Sequence, residues 1–151
     1  KKYNATFILN DYVPIAQILK VDGVHLGKND LSPIKARELL GKNTIIGGTA
    51  NSIEDIQKLI DAKVDYIGLG PYKHTETKKN LSPLLGIDGY KNSIKHFENK
   101  ALPPVYAIGG IQTEDISLLM QTGVYGIALS GLIAKAKTIP TTVSEVLSQL
   151  S

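Results

Sequence analysis

The stretch DYIGLGPYKHTETKKN, Asp65 to Asn80, sets the reading of the fold. Tyr66-Ile67-Gly68-Leu69 is a short, nearly continuous apolar run, of the kind a strand covered on both faces makes. Gly70-Pro71 follows it. Beyond lies a polar loop through Thr75, Glu76, Thr77 and Lys78. Two hydroxyls at i and i+2 with a lysine next to them offer donors and positive charge to an anionic group. Such residue types are common in loops. The length says more, because about a dozen polar residues between a strand and the next helix usually mark function.

The same order of events repeats outward in both directions. Five more apolar runs read as strands: Phe7-Ile8-Leu9, Val24-His25-Leu26, Thr44-Ile45-Ile46, Val105-Tyr106-Ala107-Ile108 and Gly126-Ile127-Ala128-Leu129. Each ends in a polar or glycine-rich step: Asn10-Asp11, Gly27-Lys28-Asn29-Asp30, Gly48-Thr49, Gly109-Gly110 and Ser130-Gly131. Helical patterns lie between. Ser32-Pro33 caps and opens one, with Ile34, Leu39 and Leu40 as its apolar face and Gly41 as its stop. Ser52 caps another, with Ile53, Ile56, Leu59 and Ile60 on one face and Glu54 and Asp55 in its first turn. Thr113, Glu114 and Asp115 open a third, docked by Ile116, Leu119 and Met120 and ended by Gly123. Val143, Val146, Leu147 and Leu150 make a closing helix.

Repeated βα units at short spacing mean an α/β fold with a parallel sheet, either open and doubly wound or closed as a barrel. Six strands complete an open sheet, whereas a (β/α)8 TIM barrel has eight. The start of the chain reads as the end of a helix running into a strand. Six barrel strands would leave two open edges. The expectation is a single domain over 1–151 that holds the last six βα units, strands 3–8, of such a barrel.

Composition narrows the function classes. The 151 residues are 42% hydrophobic and 21% charged, with a formal net charge of +3, enough for one substantial core. No cysteine is present, which excludes disulfides and thiolate metal sites. No apolar run is long enough to span a bilayer, and Lys1-Lys2-Tyr3-Asn4 is no signal peptide, so the expectation is a cytoplasmic protein without a membrane partner. The mildly basic balance lacks the clustered stripe and stacking aromatics that nucleic acid calls for.

In both parallel-sheet architectures the polar steps lie where ligands bind. Asp11 and Asp30, at the ends of adjacent strands, can converge on a hard divalent cation such as Mg²⁺. The alternative is that Asp11 starts a turn and Asp30 caps the next helix. Gly109-Gly110 and Ser130-Gly131, after the last two strands, can bring backbone amides close to an oxyanion; the alternative is two tight turns. His25 lies inside a strand, where a histidine is more often packed and hydrogen-bonded than catalytic. His74 and His96 carry no assigned role.

FILND (Phe7 to Asp11), DGVHLGKND (Asp22 to Asp30), IIGGTA (Ile45 to Ala50), the Asp65–Asn80 stretch, AIGGI (Ala107 to Ile111) and GIALSGLI (Gly126 to Ile133) together resemble thiamine phosphate synthase, in family order across essentially the whole chain. The resemblance implies a barrel of roughly 200 residues or slightly more, and the family's Gln-x-Arg-x-Lys element on strand two has no counterpart here. It implies that Asn10 contacts a pyrimidine diphosphate, that Asp11 and Asp30 hold Mg²⁺, that Thr75 and Thr77 meet the phosphate of a thiazole substrate, and that Lys78 reaches the diphosphate. Gly110, Leu129 and Ser130 complete the thiazole-phosphate cradle. Thr49 stands where the family usually has serine and keeps the hydroxyl. On this resemblance Lys78, Asp11 and Asp30 are the catalytic residues.

The implied reaction joins 4-amino-5-hydroxymethyl-2-methylpyrimidine diphosphate to 4-methyl-5-(2-phosphooxyethyl)thiazole, releasing pyrophosphate and giving thiamine phosphate. Two rivals stand beside it. A related thiazole tautomerase shares the barrel but needs an acid–base histidine at the position of Asn51, and asparagine shuttles no proton at neutral pH. A non-catalytic phosphate-ligand binder would not need Asp11, Asp30, Thr75, Thr77 and Lys78 together. Family members are often homodimers, a partner expectation that rests on the resemblance alone.

Overall fold

A computed structural model describes residues 3–74 and 83–150. Strands and helices alternate: β1 (Ile8–Asn10), α1 (Val13–Leu19), β2 (Gly23–Leu26), α2 (Pro33–Leu40), β3 (Ile45–Ala50), α3 (Ile53–Asp61), β4 (Tyr66–Leu69), α4 (Gly86–His96), β5 (Val105–Ile108), α5 (Ile116–Met120), β6 (Gly126–Ala128), α6 (Gly131–Ala134) and α7 (Ile139–Ser148). A 3-10 turn, Thr113–Asp115, leads into α5.

The sheet is parallel throughout and its order is β1-β2-β3-β4-β5-β6. That order decides between the two architectures. A doubly wound sheet reverses direction at a switch point, whereas right-handed crossovers that always step the same way put every helix on one face. The result is barrel-type winding, a half-barrel of six strands.

Register divides the strand residues into two sets. Val24, Leu26, Ile46, Ala50, Ile67, Leu69, Val105 and Ala107 face the helices and are at most 2% exposed. Ala36, Ile56, Tyr90, Ile116 and Leu119 pack onto them from α2 to α5. Each fully buried Val, Leu or Ile stabilises by roughly 1.5–3 kcal/mol, so this layer is the main source of stability. The opposite, inner face carries Gly23, His25, Gly47, Thr49, Tyr66, Gly68, Tyr106 and Ile108.

Local chemistry explains the helix starts. Ser32 Oγ accepts from Lys35 N at 3.4 Å, ahead of Pro33 in the first turn of α2, and Ser52 Oγ accepts from Asp55 N at 3.2 Å at the start of α3. Each such cap contributes about 1 kcal/mol. The third helix opens at Thr113 as read, with Gln112 ahead of it in a capping box with Asp115. Two local expectations need correction. Ile34 and Leu39 are 56% and 50% exposed, so of the expected face only Leu40 docks, and Ala36 joins it. No helix end precedes β1 among the described residues, for residues 4–7 are irregular.

The two outer strands differ from the four between them. Near β1, Phe7, Tyr12, Ile15, Ile18 and Leu19 are exposed, and near β6, Tyr125, Ile139 and Leu147 are exposed. Among the described residues no helix is long and apolar enough to cross a membrane.

Candidate active site

Parallel strands all end at the same rim, and the polar steps of the sequence meet there. Asn10 closes β1 as an exposed residue. Asp11 follows with φ 68°, a left-handed turn conformation, and its amide extends the ladder to His25 O at 3.0 Å. The turn reading of Asp11 therefore holds. It also leaves the carboxylate at the end of β1, next to the loop after β2. Asp30 does not cap α2, a role taken by Ser32; its Oδ2 accepts from Gly27 N at 2.6 Å and tightens the Gly27–Asp30 turn.

Four loops are tied to one another by side chains. Lys28, after β2, forms an ion pair with Asp55 at the start of α3, and the same Asp55 oxygen accepts from Asn51 N at 3.0 Å. Burial disfavours charge on Asp55, but the Lys28 ammonium and the Asn51 amide outweigh it and hold the carboxyl below its ordinary range. The Asn51 side chain donates to Gly70 O, joining the loop after β3 to the one after β4. Lys73 Nζ then meets the buried Asp115 at 2.6 Å, and this bond is the chief reason the Lys73 amine is shifted upward. Asp115 also accepts from Gln112 N at 3.0 Å, which ties in the loop after β5.

Gly110 sits in the same belt. Its φ is 73°, and a Cβ there would stand 2.6 Å from His74 O and 2.7 Å from Lys73 O, so only glycine admits this approach of the two loops. Tyr72 N and Lys73 N bond to Ile108 O and Gly109 O at 2.9 and 3.0 Å. Leu129 is half-buried against the core and Ser130 exposed at the end of β6. Thr49 is buried on β3. Thr75, Thr77 and Lys78 lie outside the described residues. The structure thus brings Asn10, Asp11, Asp30, Thr49, Gly110, Leu129 and Ser130 to one rim.

Two shallow depressions, of about 360 and 240 Å³, lie at the other end of the sheet. Thr6, Asp22 and Thr44 line the first, at the N-terminal ends of the strands, where parallel α/β folds seldom hold ligands.

Residue patterns alone did not single out Asp55, Asp115, Lys73 or Tyr66 as site elements. Asp55 and Asp115 read as helix-opening acids, which they also are. Their partners lie 27 and 42 positions away (55 minus 28, 115 minus 73), beyond the reach of local spacing.

Comparison with known proteins gives a consistent result. A profile of the family described as thiamine monophosphate synthase matches residues 1–133. The thiamine-phosphate synthase of Phocaeicola vulgatus is 49% identical over 138 residues, 91% of this chain and 66% of that protein. Its counterpart in Flavobacterium johnsoniae is 50% identical over 137 residues, 90% of this chain and 65% of that protein. The solved thiamine phosphate pyrophosphorylase of Pyrococcus furiosus superposes with a TM-score of 0.85 at 28% identity, covering 99% of this chain and 69% of that one. The native KDPGal structure reaches a TM-score of 0.76 at 12% identity, which speaks for the fold alone. This chain spans about two thirds of the length of the curated relatives it matches.

Proposed function

This chain belongs to the thiamine monophosphate synthase family, and on that premise we propose that the whole protein couples the aminopyrimidine diphosphate to the thiazole phosphate, giving thiamine phosphate and pyrophosphate. The observation that carries the reading is the gathering of Asn10, Asp11, Asp30, Thr49, Gly110 and Ser130 at one sheet end, framed by loops that are bonded to each other.

The chemistry asks little of protein nucleophiles. The bond between the pyrimidine methylene carbon and the diphosphate oxygen breaks, and its electron pair leaves with the diphosphate. The aminopyrimidine ring stabilises the resulting cation, and the lone pair of the thiazole nitrogen forms the new C–N bond. The enzyme must neutralise the leaving group and align two anionic substrates. Asn10 contacts the pyrimidine diphosphate, and Lys78 reaches the same group. Thr75, Thr77, Gly110, Leu129 and Ser130 bind the thiazole phosphate.

Asp11 and Asp30 fit a hard cation. They follow neighbouring strands, and the Asp11 amide is laddered onto β2. Such a pair leaves coordination positions to water and phosphate oxygens, as Mg²⁺ prefers. When bound, Mg²⁺ supplies charge neutralisation on the diphosphate. Asn51 donates to Gly70 O and has no titratable proton, which weighs against the tautomerase alternative.

The six-stranded sheet belongs, in this reading, to a closed eight-stranded barrel of one domain, acting in the cytoplasm. The exposed apolar residues along both outer strands and the greater length of the relatives support two further βα units ahead of β1. Expressed alone, the 151 residues aggregate through their open edges; a monomer with a cooperative melt overturns the closure. The functional test is a coupled assay of the full-length protein with both substrates and Mg²⁺. Pyrophosphate release that depends on the thiazole is expected, and release without it means hydrolysis instead of coupling.

A further inference from the structure

Three side chains on the inner face form one hydrogen-bonded line across β2, β3 and β4. His25 Nδ1 lies 3.0 Å from the Tyr66 hydroxyl, and His25 Nε2 lies 2.9 Å from Thr49 Oγ1. The imidazole stacks on the Tyr66 ring, with centroids 5.4 Å apart and an interplanar angle of 28°. Tyr66 in turn meets Tyr106 edge-on at 5.6 Å.

The sequence makes room for this line by omission. A Cβ at Gly47 would overlap the Tyr66 ring, and a Cβ at Gly68 would stand 3.0 Å from His25 Cε1. Neither glycine has a positive φ, so a strand conformation open to any residue is kept and only the side chain is given up. Each glycine sits under one ring of the line.

The direction of the hydrogen bonds follows from counting donors. A neutral imidazole has one N–H and one bare nitrogen. Burial pushes the Tyr66 hydroxyl up to about 12, with Tyr106 adding to the effect, so Tyr66 keeps its proton at neutral pH. Among the described residues that proton has one acceptor, His25 Nδ1. Tyr66 therefore donates to Nδ1, the imidazole proton resides on Nε2, and Nε2–H donates to Thr49 Oγ1. The Thr49 hydroxyl, already serving as acceptor, keeps its own hydrogen for another partner. The reverse direction would spend the Thr49 hydrogen on His25 and leave the partly buried phenol proton without an acceptor among the described residues, at a cost.

We propose that His25 and Tyr66 are positioning residues that hold the Thr49 hydroxyl as a hydrogen-bond donor to an acceptor atom of the bound pyrimidine diphosphate. The proposal rests on the functional reading above and adds two residues to it. Thr49 is the group that touches substrate, whereas His25 and Tyr66 act through it.

Two measurements on the full-length protein test it. The first is the tautomer of His25, read from its ring nitrogens by ¹⁵N NMR without substrate. The neutral ring is expected to carry hydrogen on Nε2; hydrogen on Nδ1 overturns the proposal. The second is a double-mutant cycle on kcat/KM with Tyr66→Phe, Thr49→Val and the pair, with thermal melts as a folding control. Tyr66→Phe lowers kcat/KM about fivefold in the parent, the value of one hydrogen bond, and has no further effect once Thr49 is valine. Thr49→Ser keeps the sensitivity to Tyr66→Phe. Equal losses in both backgrounds mean that Tyr66 serves packing alone and also overturn the proposal. If the full-length protein makes no thiamine phosphate, the functional reading falls separately, because the tautomer is measured without turnover.

Discussion

Along each inner strand of the sheet, alternate residues face opposite worlds. Toward the helices stand Val24, Leu26, Ile46, Ile67, Leu69 and Val105, all but fully buried and all apolar. Toward the inside stand His25, Gly47, Thr49, Tyr66, Gly68 and Tyr106, a mixture of hydrogen-bonding groups and gaps. The backbone geometry is the same for both sets, since successive side chains of a strand point to opposite faces. The difference teaches where each kind of free energy is kept: packing stability in one layer, and ligand-directed polarity in the other and at the rim.

The comparison breaks most visibly on the helix side. Ile67→Ala, at a position with no exposure, lowers unfolding free energy by about 2–5 kcal/mol, read as a shifted urea midpoint. The fraction that stays folded keeps its turnover. A loss below about 1 kcal/mol would place the stability elsewhere. Asp30→Ala at the rim gives the opposite signature. Turnover of the full-length protein falls by roughly 10²-fold or more, the scale of losing one electrostatic stabiliser, while the melting temperature moves by only about 3 °C. Equal rates with and without a chelator count against the metal role of Asp30.

The smallest effect sharpens the picture of the rim belt. The folded Asp55 carboxyl is held below its ordinary value of 3.8, so its contribution to stability is complete above that pH and fades as pH falls through the folded value. The pair with the partly exposed Lys28 is worth less than about 1 kcal/mol. Urea midpoints at pH 6 and pH 3 therefore fall slightly less far in Asp55→Asn than in the parent. Identical drops show that the ion pair contributes nothing.

Most of the fold was legible because parallel strands covered by helices announce themselves. All six apolar runs became strands, within one or two residues in most cases, although β3 extends to Ala50. Their order could not be read from the sequence, because periodicity says nothing about neighbours, and the open and barrel alternatives separated only with the strand pairing. Three helices gave weak signals. α1 begins at Val13, follows Tyr12 without a side-chain cap, and exposes Ile15, Ile18 and Leu19. α4 holds Gly86 and Gly89 and buries chiefly Tyr90 and Ser93. α6 is four residues long.

The site was legible to a different degree. The rim position of Asp11, Asp30, Gly110 and Ser130 followed from the rule that polar steps after parallel strands share an end. The bonds between the loops did not, since Lys28 with Asp55 and Lys73 with Asp115 depend on which loops are neighbours. His25 read correctly as a packed, hydrogen-bonded residue, but its partners Thr49 and Tyr66 became visible only once strand register set them side by side.

Loops on barrels are ordinarily the parts that drift freely, each tolerating insertions and substitutions without regard to the rest. Here the belt from Lys28 through Asp55, Asn51 and Gly70 to Lys73 and Asp115 removes that freedom. Replacing one loop strands the bonding groups of the next. A laboratory wishing to redirect substrate preference should graft the four as a cassette.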